Sequence, residues 1–189
     1  MFDPIFYYNP ETSIFPEIQK GFAETGELDP DGFYLILDWK SPRARTRHLL
    51  RLAKLGGGFD AAVKNIAAAL TANANQPEEQ LKLLLIEWEF RLPTATAILT
   101  VLYPDNFTVY DIRVCNALGK FHQLGNAKWS SEHWAQYQCF VKAVQAAPPP
   151  ELGLCLRDCD RWLWGKDKRK TLQDELENLK VVANGGSKD

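Results

Sequence analysis

The sequence lacks long apolar runs and has almost no pattern typical of β-strands. No stretch of roughly eighteen or more apolar residues is present, and the N-terminal MFDPIFYYNPE lacks the basic and apolar segments of a signal peptide. We therefore expect a cytoplasmic protein that has no membrane partner. The near absence of strand patterns excludes a sheet-based fold and favours an all-α one.

Cysteines are also few. Four cysteines in 189 residues do not make a disulfide framework, and their spacing matches no zinc or iron–sulfur motif. Two of them lie four residues apart and could share one helix face, but two thiols without further ligands make a poor metal site. We expect free, buried thiols, with no metal or other cofactor. The four residues are Cys115, Cys139, Cys155 and Cys159.

Charge is small in total but unevenly distributed. The formal net charge is −2, which gives no reason to expect a polyanionic partner. Between Asp38 and Asp60, however, basic residues occur without any acidic residue. An uncompensated basic stripe on a helix would attract phosphates, although an ordinary solvated helix face explains it equally well. The residues spaced to share one face are Arg43, Arg47, Arg51 and Lys54.

What the sequence does contain is a succession of helical patterns. With 46% hydrophobic residues, the chain can bury a substantial core. Asp29 before Pro30, and Ser130 before an apolar pattern, predict helix N-caps. Three glycines from residue 56 predict a helix end. The periodicity predicts helices at 12–25, 30–39, 42–55, 59–73, 77–89, 93–103, 111–121, 130–146, 150–165 and 171–181.

One segment is similar to a known enzyme superfamily. RLPTATAILTVLYPDNFTVYDIRVCNALG, residues 91–119, resembles the helix-hairpin-helix DNA glycosylases of base-excision repair, the endonuclease III and MutY-like enzymes. In that family a hairpin of the form LPGVG(R)(K/S)TA precedes an apolar helix, a short loop and a catalytic aspartate that opens the next helix. Thr94 and Ala95 align with the TA pair, and Asp111 then aligns with the catalytic aspartate without a gap. The stretches LDWKSPRA and LRDCDRWLWGK are similar to segments of uncharacterised bacterial members.

The resemblance implies a two-lobed, all-helical bundle with Asp111 facing the cleft between the lobes. We expect an outer lobe of residues 1–58 together with 110–180, and an inner lobe of residues 59–109 that contains the hairpin. Residues 181–189 are expected to form a flexible tail. No four-cysteine loop follows the motif, so no iron–sulfur cluster is expected.

The hairpin departs from the family pattern at two points. Glu89, Phe90 and Arg91 occupy the place of glycines whose backbone amides face a DNA phosphate. Pro93 occupies the place of the lysine that forms a Schiff base in the bifunctional members. The resemblance therefore implies a hydrolytic, monofunctional reaction without lyase activity.

Hydrolysis of an N-glycosidic bond develops positive charge on the sugar, which a carboxylate in a dry cleft can stabilise or use to activate water. The resemblance gives that role to Asp111. The base must leave the helical stack, and aromatic side chains should receive it; Trp39, Tyr110 and Trp164 are the candidates. The residues expected to contact double-stranded DNA are Lys40, Arg43, Arg45, Arg47, Arg51, Arg91, Thr94, Thr96 and Arg113.

A simpler interpretation of Asp111 is a helix N-cap, since aspartate is among the best capping residues. The chain would then be a catalytically inactive DNA-binding relative, or a helical protein-interaction module whose basic stripe meets an acidic partner. The enzyme hypothesis predicts Asp111 in an open cleft with aromatic walls and basic rims. The cap-only interpretation predicts Asp111 buried with no cavity beside it, although one aspartate can both cap a helix and catalyse.

Overall fold

The computed structural model describes residues 4–185, with side chains to residue 179. Within residues 4–185 there is no β-strand, so the all-α prediction is confirmed. No helix in this part of the chain combines the length and apolar character needed to cross a membrane. Three short 3-10 turns accompany the α-helices. The helices are α1 (Pro10–Ser13), α2 (Phe15–Thr25), α3 (Pro30–Lys40), α4 (Arg45–Gly56), α5 (Phe59–Ala72), α6 (Pro77–Ile86), α7 (Leu92–Leu102), α8 (Ile112–Leu118), α9 (Ser131–Gln145) and α10 (Leu156–Gly185).

Helix ends follow the capping residues of the sequence. Asp29 accepts a hydrogen bond from the Gly32 N–H at 2.9 Å and begins α3, as predicted. Ser130 accepts one from the His133 N–H at 3.1 Å and begins α9. Gly57 ends α4 in the left-handed conformation, with φ 74°, which costs glycine little. These boundaries confirm the predictions made from caps.

Other boundaries differ from the predictions. The helix predicted over 12–25 is interrupted at Ile14, between α1 and α2. The helix predicted over 77–89 stops at Ile86, and Glu89, which has a left-handed φ of 53°, could not belong to a helix. The two helices predicted over 150–165 and 171–181 are one helix, α10. Its charged middle consists mostly of good helix formers, and Gly165 alone does not end a helix. The predicted tail overlaps α10 up to Gly185, and its remainder lies outside the described residues.

Helix α7 lies at the centre of the first group of helices. Every one of its residues except Pro93 is buried, as expected for a helix that is apolar or small on all sides. Helices α2, α3 and α6 pack directly against it, and α4 and α5 pack on each other and on α3. The start of α7 is therefore an interior part of the fold.

Helices α8, α9 and α10 form a second group, in which α10 packs against both of the others. The two groups share one hydrophobic core, and residues 103–111 connect them. The predicted lobe boundary at residues 58 and 59 lies between α4 and α5, which pack tightly together. The division into two lobes stays a prediction.

Candidate functional site

The segment that leads to Asp111 is extended and buried, but it does not belong to a sheet. Its backbone amides donate to side chains of other helices instead. Buried amides have to be paired, so these side chains fix the path of the segment. The bonds are Thr108 N–H to the Tyr137 hydroxyl at 3.2 Å, Val109 N–H to Asp160 Oδ2 at 3.3 Å, and Tyr110 N–H to the Thr96 hydroxyl at 3.0 Å.

Asp111 both caps a helix and forms an ion pair. Its Oδ1 accepts a hydrogen bond from the Arg113 N–H at 2.9 Å and so begins α8. Its Oδ2 accepts one from the Nζ of Lys40, the last residue of α3, at 2.6 Å. The Asp111 side chain remains 23% exposed, against 12% for Lys40. The carboxylate is thus held in place without being enclosed.

Asp111 also lines an open cleft of about 300 Å³, which is at the lower end of the range for small-molecule sites. Trp39 from α3 and Trp164 from α10 contribute aromatic walls, and Val109 and Val114 contribute apolar surface beside the carboxylate. The helix cap and the open cleft therefore occur together at one aspartate.

Helix α10 supplies a second wall of the cleft. Arg157, Asp160, Arg161 and Trp164 line the cleft with spacings of three, one and three residues, which place them on one helix face. Arg157 bonds Asp160 on its own helix and Glu11 of α1. The three charged residues were not among the site residues predicted from the sequence. The repeated helical spacing within LRDCDRWLWGK was the available signal.

Further contacts of this wall involve Arg161, Glu11 and Trp39. Arg161 pairs with Glu11 at 3.0 Å and with Asp158 at 2.9 Å. The Trp39 Nε1–H donates to Glu11 Oε1 at 3.1 Å, which connects the α3 and α10 walls. The face of Trp39 lies 5.4 Å from the Arg157 guanidinium.

Burial raises the pKa of the two carboxylates that line the cleft beside Arg157, those of Asp160 and Glu11, and the neighbouring arginines lower it. Burial raises the pKa of Asp160 above its ordinary value, an effect that Arg157 and the bonds from Thr108 and Val109 only partly offset. Burial also acts to raise the pKa of Glu11, but Arg157 and Arg161 outweigh it and leave that pKa below its ordinary value. Asp160 and Glu11 each bond other residues of the protein, so we assign both a structural role.

Of the three aromatic residues predicted for a base pocket, Trp39 and Trp164 line the cleft and Tyr110 does not. Tyr110 is buried, and its hydroxyl donates to the Phe121 carbonyl at 2.9 Å. Burial raises the pKa of Tyr110 to about 12. Alternate side chains of an extended segment point to opposite sides, so Val109 and Asp111 face the cleft while Tyr110 packs towards α9.

Thr94 and Thr96 do not lie at the surface where phosphate contacts were expected. Thr94 is buried and its hydroxyl lies 3.1 Å from that of Ser41. Thr96 is fully buried and donates to the Leu92 carbonyl at 2.8 Å. Both threonines belong to a helix, as predicted, but α2, α3 and α6 pack around that helix and bury the two side chains.

The basic residues predicted to contact DNA divide into two sets. In the first set each side chain has a protein partner: Lys40 with Asp111, Arg45 with Asp38 at 2.6 Å, Arg113 with Asp167 at 3.0 Å, and Arg51 with His48. In the second set the side chains are exposed and form no ion pair within the described residues. These are Arg43, Arg47 and Arg91, which we call the basic face.

Residues next to the basic face in the sequence contact one another. The hairpin residue Phe90 packs against His48 of α4, with ring centroids 5.5 Å apart, and lies 5.1 Å beneath the Arg51 guanidinium. The Ser41–Thr94 contact brings the end of α3 to the start of α7. Lys40 immediately precedes Ser41, so the chain passes directly from the cleft to the basic face. The hairpin also exposes Glu89 on this surface.

A larger groove of about 940 Å³ runs along α8 and α10, and charges of both signs line it, including Lys166, Asp167 and Asp174.

No cluster of three or more His, Cys, Asp or Glu suited to a metal ion occurs in the described part of the chain. All four cysteines are free, as predicted, but Cys139 and Cys155 are exposed, so the prediction that all are buried is wrong.

The candidate site therefore comprises Asp111, Lys40, Trp39 and Trp164 around one cleft, with the basic face adjoining it. The likeness to the helix-hairpin-helix glycosylases rests on the motif in residues 91–119. Comparison of the chain with protein-family models, with curated proteins and with solved structures finds no match in any of the three.

Proposed function

We propose that the protein is a monofunctional DNA glycosylase of base-excision repair, which hydrolyses the N-glycosidic bond of a damaged or mismatched base in duplex DNA. One observation carries the proposal. The aspartate that the sequence motif aligns with a catalytic carboxylate is partly exposed in a cleft with two tryptophan walls. A capping role alone requires neither the cleft nor its aromatic lining.

In the proposed reaction water attacks C1′ of the sugar while the bond from C1′ to the base nitrogen breaks. The bonding electron pair leaves with the base, which takes up a proton. Asp111 stabilises the positive charge that develops on the sugar or accepts a proton from the attacking water. The Arg113 amide and the Lys40 ammonium hold its two oxygens at 2.9 and 2.6 Å, so the carboxylate is positioned before substrate binds.

Recognition of the base and of the backbone involves neighbouring surfaces. A base that leaves the stack would enter the cleft and contact the rings of Trp39 and Trp164. Arg43, Arg47 and Arg91, which have no ion-pair partner among the described residues, would contact phosphates of the flanking duplex. Glu89 on the same surface would weaken contacts made by the hairpin itself.

The test is incubation of the protein with duplexes that carry a panel of damaged or mismatched bases, with abasic sites as the readout. We expect release of at least one type of base, and a loss of about 10²- to 10⁴-fold in Asp111→Asn. Asp105→Asn, an equivalent change at an exposed loop position, serves as the control and should retain full activity. Base release that is undiminished in Asp111→Asn would remove this carboxylate from the mechanism.

A second candidate is a catalytically inactive DNA-binding relative. It is favoured by the fact that both Asp111 oxygens already have partners in the free protein, one of which is a lysine that neutralises the charge. This candidate predicts salt-dependent duplex binding without abasic sites for any member of the panel.

A further inference from the structure

The last part of α10 with described side chains carries an apolar stripe that no other described helix covers. Every side chain of residues 172–179 is exposed. Leu172, Leu176 and Leu179 are 45%, 57% and 65% exposed, and spacings of four and three residues place them on one helix face. Single exposed leucines are common on protein surfaces, whereas a row of them on one helix indicates a site of contact with another chain.

The same face of α10 continues towards the start of the helix as one side of the larger groove. Steps of three, four and three residues back from Leu172 lead to Arg169, Gly165 and Trp162, which all line that groove. At Gly165 there is open space where a side chain would begin. The groove and the leucine stripe therefore lie in one line, with the alternating spacing of three and four residues that forms the seam of a coiled coil.

The two parts of this seam carry opposite charge. Residues 166–170 contain four basic residues and one acid, whereas residues 174–177 contain three acids and no basic residue. Two copies of α10 that ran in the same direction would place like charges side by side. In opposite directions, the basic segment of each copy lies against the acidic segment of the other. Charge complementarity therefore favours a second copy of this chain as the partner, in an antiparallel arrangement.

We propose that the protein forms a two-fold dimer in which the α10 helices of two copies pack antiparallel and each leucine stripe enters the groove of the other copy. Such an interface uses one surface twice, so each contact occurs two times. The seam uses none of the residues that line the cleft, and the inference does not depend on the proposed function. The contacts from one copy to the other are Leu179 on Trp162, Leu176 over Gly165 and Leu172 on the aliphatic part of Arg169.

Ionic contacts beside the seam fix how the two helices are aligned. Lys168 and Glu175 precede neighbouring seam positions and lie on the same side of the stripe. In the proposed alignment Lys168 of each copy faces Glu175 of the other, which gives two symmetric ion pairs. A shift of one helix by seven residues would bring the two copies of Glu175 together, and repulsion between them disfavours that alternative.

Sedimentation equilibrium of the full chain, from low micromolar to several hundred micromolar concentration, measures the association. Because the interface is short, we expect a micromolar Kd, with the mass rising towards twice the 21.5 kDa of one chain. Leu172→Ala with Leu176→Ala should raise the Kd by about 100-fold or more, since four leucine side chains leave each dimer. The matched control, Leu50→Ala with Leu55→Ala, truncates two exposed leucines of α4 and should leave the Kd unchanged.

A pair of charge reversals tests the antiparallel alignment. Glu175→Lys should raise the Kd by about tenfold or more, because two cations then face each other across the seam. Lys168→Glu added in the same chain should restore the Kd to within about threefold of the wild-type value. The two positions are about two helical turns apart on their own helix, so the restoration reports a contact between copies. Circular dichroism of each variant checks that the fold is retained.

The outcomes separate the dimer from its details. The mass of a single chain at every concentration would overturn the proposal, and so would a Kd that is unchanged in the α10 leucine variant. An equal loss in the α4 control would mean that the interface is not specific to the stripe. Dimerisation that Lys168→Glu does not restore would overturn the antiparallel alignment.

Discussion

The two walls of the cleft both carry charged residues, but they use them differently. On the α10 wall every arginine has acidic partners: Arg157 contacts Glu11 and Asp160, and Arg161 contacts Glu11 and Asp158. On the α3 wall the single cation, Lys40, pairs with Asp111, and the chain then continues into the basic face, where arginines form no ion pair within the described residues. The charges of the α10 wall are neutralised by ion pairs within the protein. The chain that follows the α3 wall carries arginines whose charges are left to bind a partner.

The two aspartates of the cleft show the same difference. Asp160 is buried, with a side chain 5% exposed, and it bonds the extended segment through Thr108 and Val109. Asp111 is 23% exposed, and its Oδ2 accepts a hydrogen bond from Lys40 at the edge of the cleft. A carboxylate whose oxygens hold the backbone in place stabilises the fold, whereas one that remains accessible can act on a substrate.

The largest effect on stability is expected from Asp160→Asn. In asparagine an NH2 group replaces one of the two carboxylate oxygens, so a donor faces either Arg157 or the donors of Thr108 and Val109, and we expect a loss of about 2 kcal/mol in the free energy of unfolding. Asp111→Asn should lose only about 1 kcal/mol or less, because asparagine caps helices as well as aspartate does and the Lys40 pair is partly solvated. Urea unfolding of the two variants measures both values.

Activity should show the opposite order. Asp111→Asn should lose base release while it remains folded, and any activity lost in Asp160→Asn should follow the fraction of unfolded protein. Equal destabilisation by the two substitutions would mean that Asp111 also holds the fold together, and the distinction between the two aspartates would disappear.

The next largest effect is expected on the affinity for duplex DNA, and it tests the basic face that follows the α3 wall. Reversal of two charges in Arg43→Glu with Arg47→Glu should lower duplex affinity by about 10- to 100-fold at low salt. It should also reduce the slope of log affinity against log salt by about 2. Fluorescence anisotropy with a labelled duplex at several salt concentrations measures both quantities.

The α10 helix provides the matched control for this prediction. Arg169→Glu with Lys170→Glu reverses two exposed charges at the larger groove, where acidic residues already alternate with basic ones. We expect a clearly smaller change in affinity. An equal or larger loss from the α10 pair would place the DNA along that groove instead of on the basic face.

The sequence predicts the parts of the site whose partners are close in the chain. Asp111 as a helix cap follows from its position before an apolar helix, and the capping partner lies two residues away. Lys40 and Asp111 are 71 residues apart, and Arg157 and Glu11 are 146 apart. Such pairs depend on how helices pack against each other, which periodicity along a single chain does not specify.

The burial of three residues in the predicted site, Tyr110, Thr94 and Thr96, could have been predicted from local rules. The alternation of side chains in an extended segment puts Tyr110 on the opposite side from Asp111. A helix that is apolar or small on all sides, as α7 is, should be buried together with its threonines. The single helix α10 was harder to predict, because its charged middle has the composition of a linker but a high helix propensity.

The smallest expected effect is a loss of stability at acid pH, which tests the positive charge around α4, the helix that follows the α3 wall. His48 is buried on α4 beside Arg51 and near Arg47. Burial and these two cations lower the pKa of His48 from 6.5 to about 4. A pKa that is lower in the folded state than in the unfolded state favours the unfolded state at acid pH. Stability should therefore be complete above about pH 6.5 and fall by about 1 to 2 kcal/mol as the pH decreases towards 4.

Urea midpoints at a series of pH values measure this loss, and His48→Gln is the matched variant that should reduce the slope across the same interval. Duplex DNA adds a second condition. If phosphates bind the basic face, they screen Arg47, so the protonated imidazole becomes less unfavourable and the pKa of His48 rises. A duplex bound at acid pH should then recover part of the lost stability in the wild type, beyond the gain in His48→Gln. Equal gains in the two proteins would mean that the bound phosphates do not lie near α4.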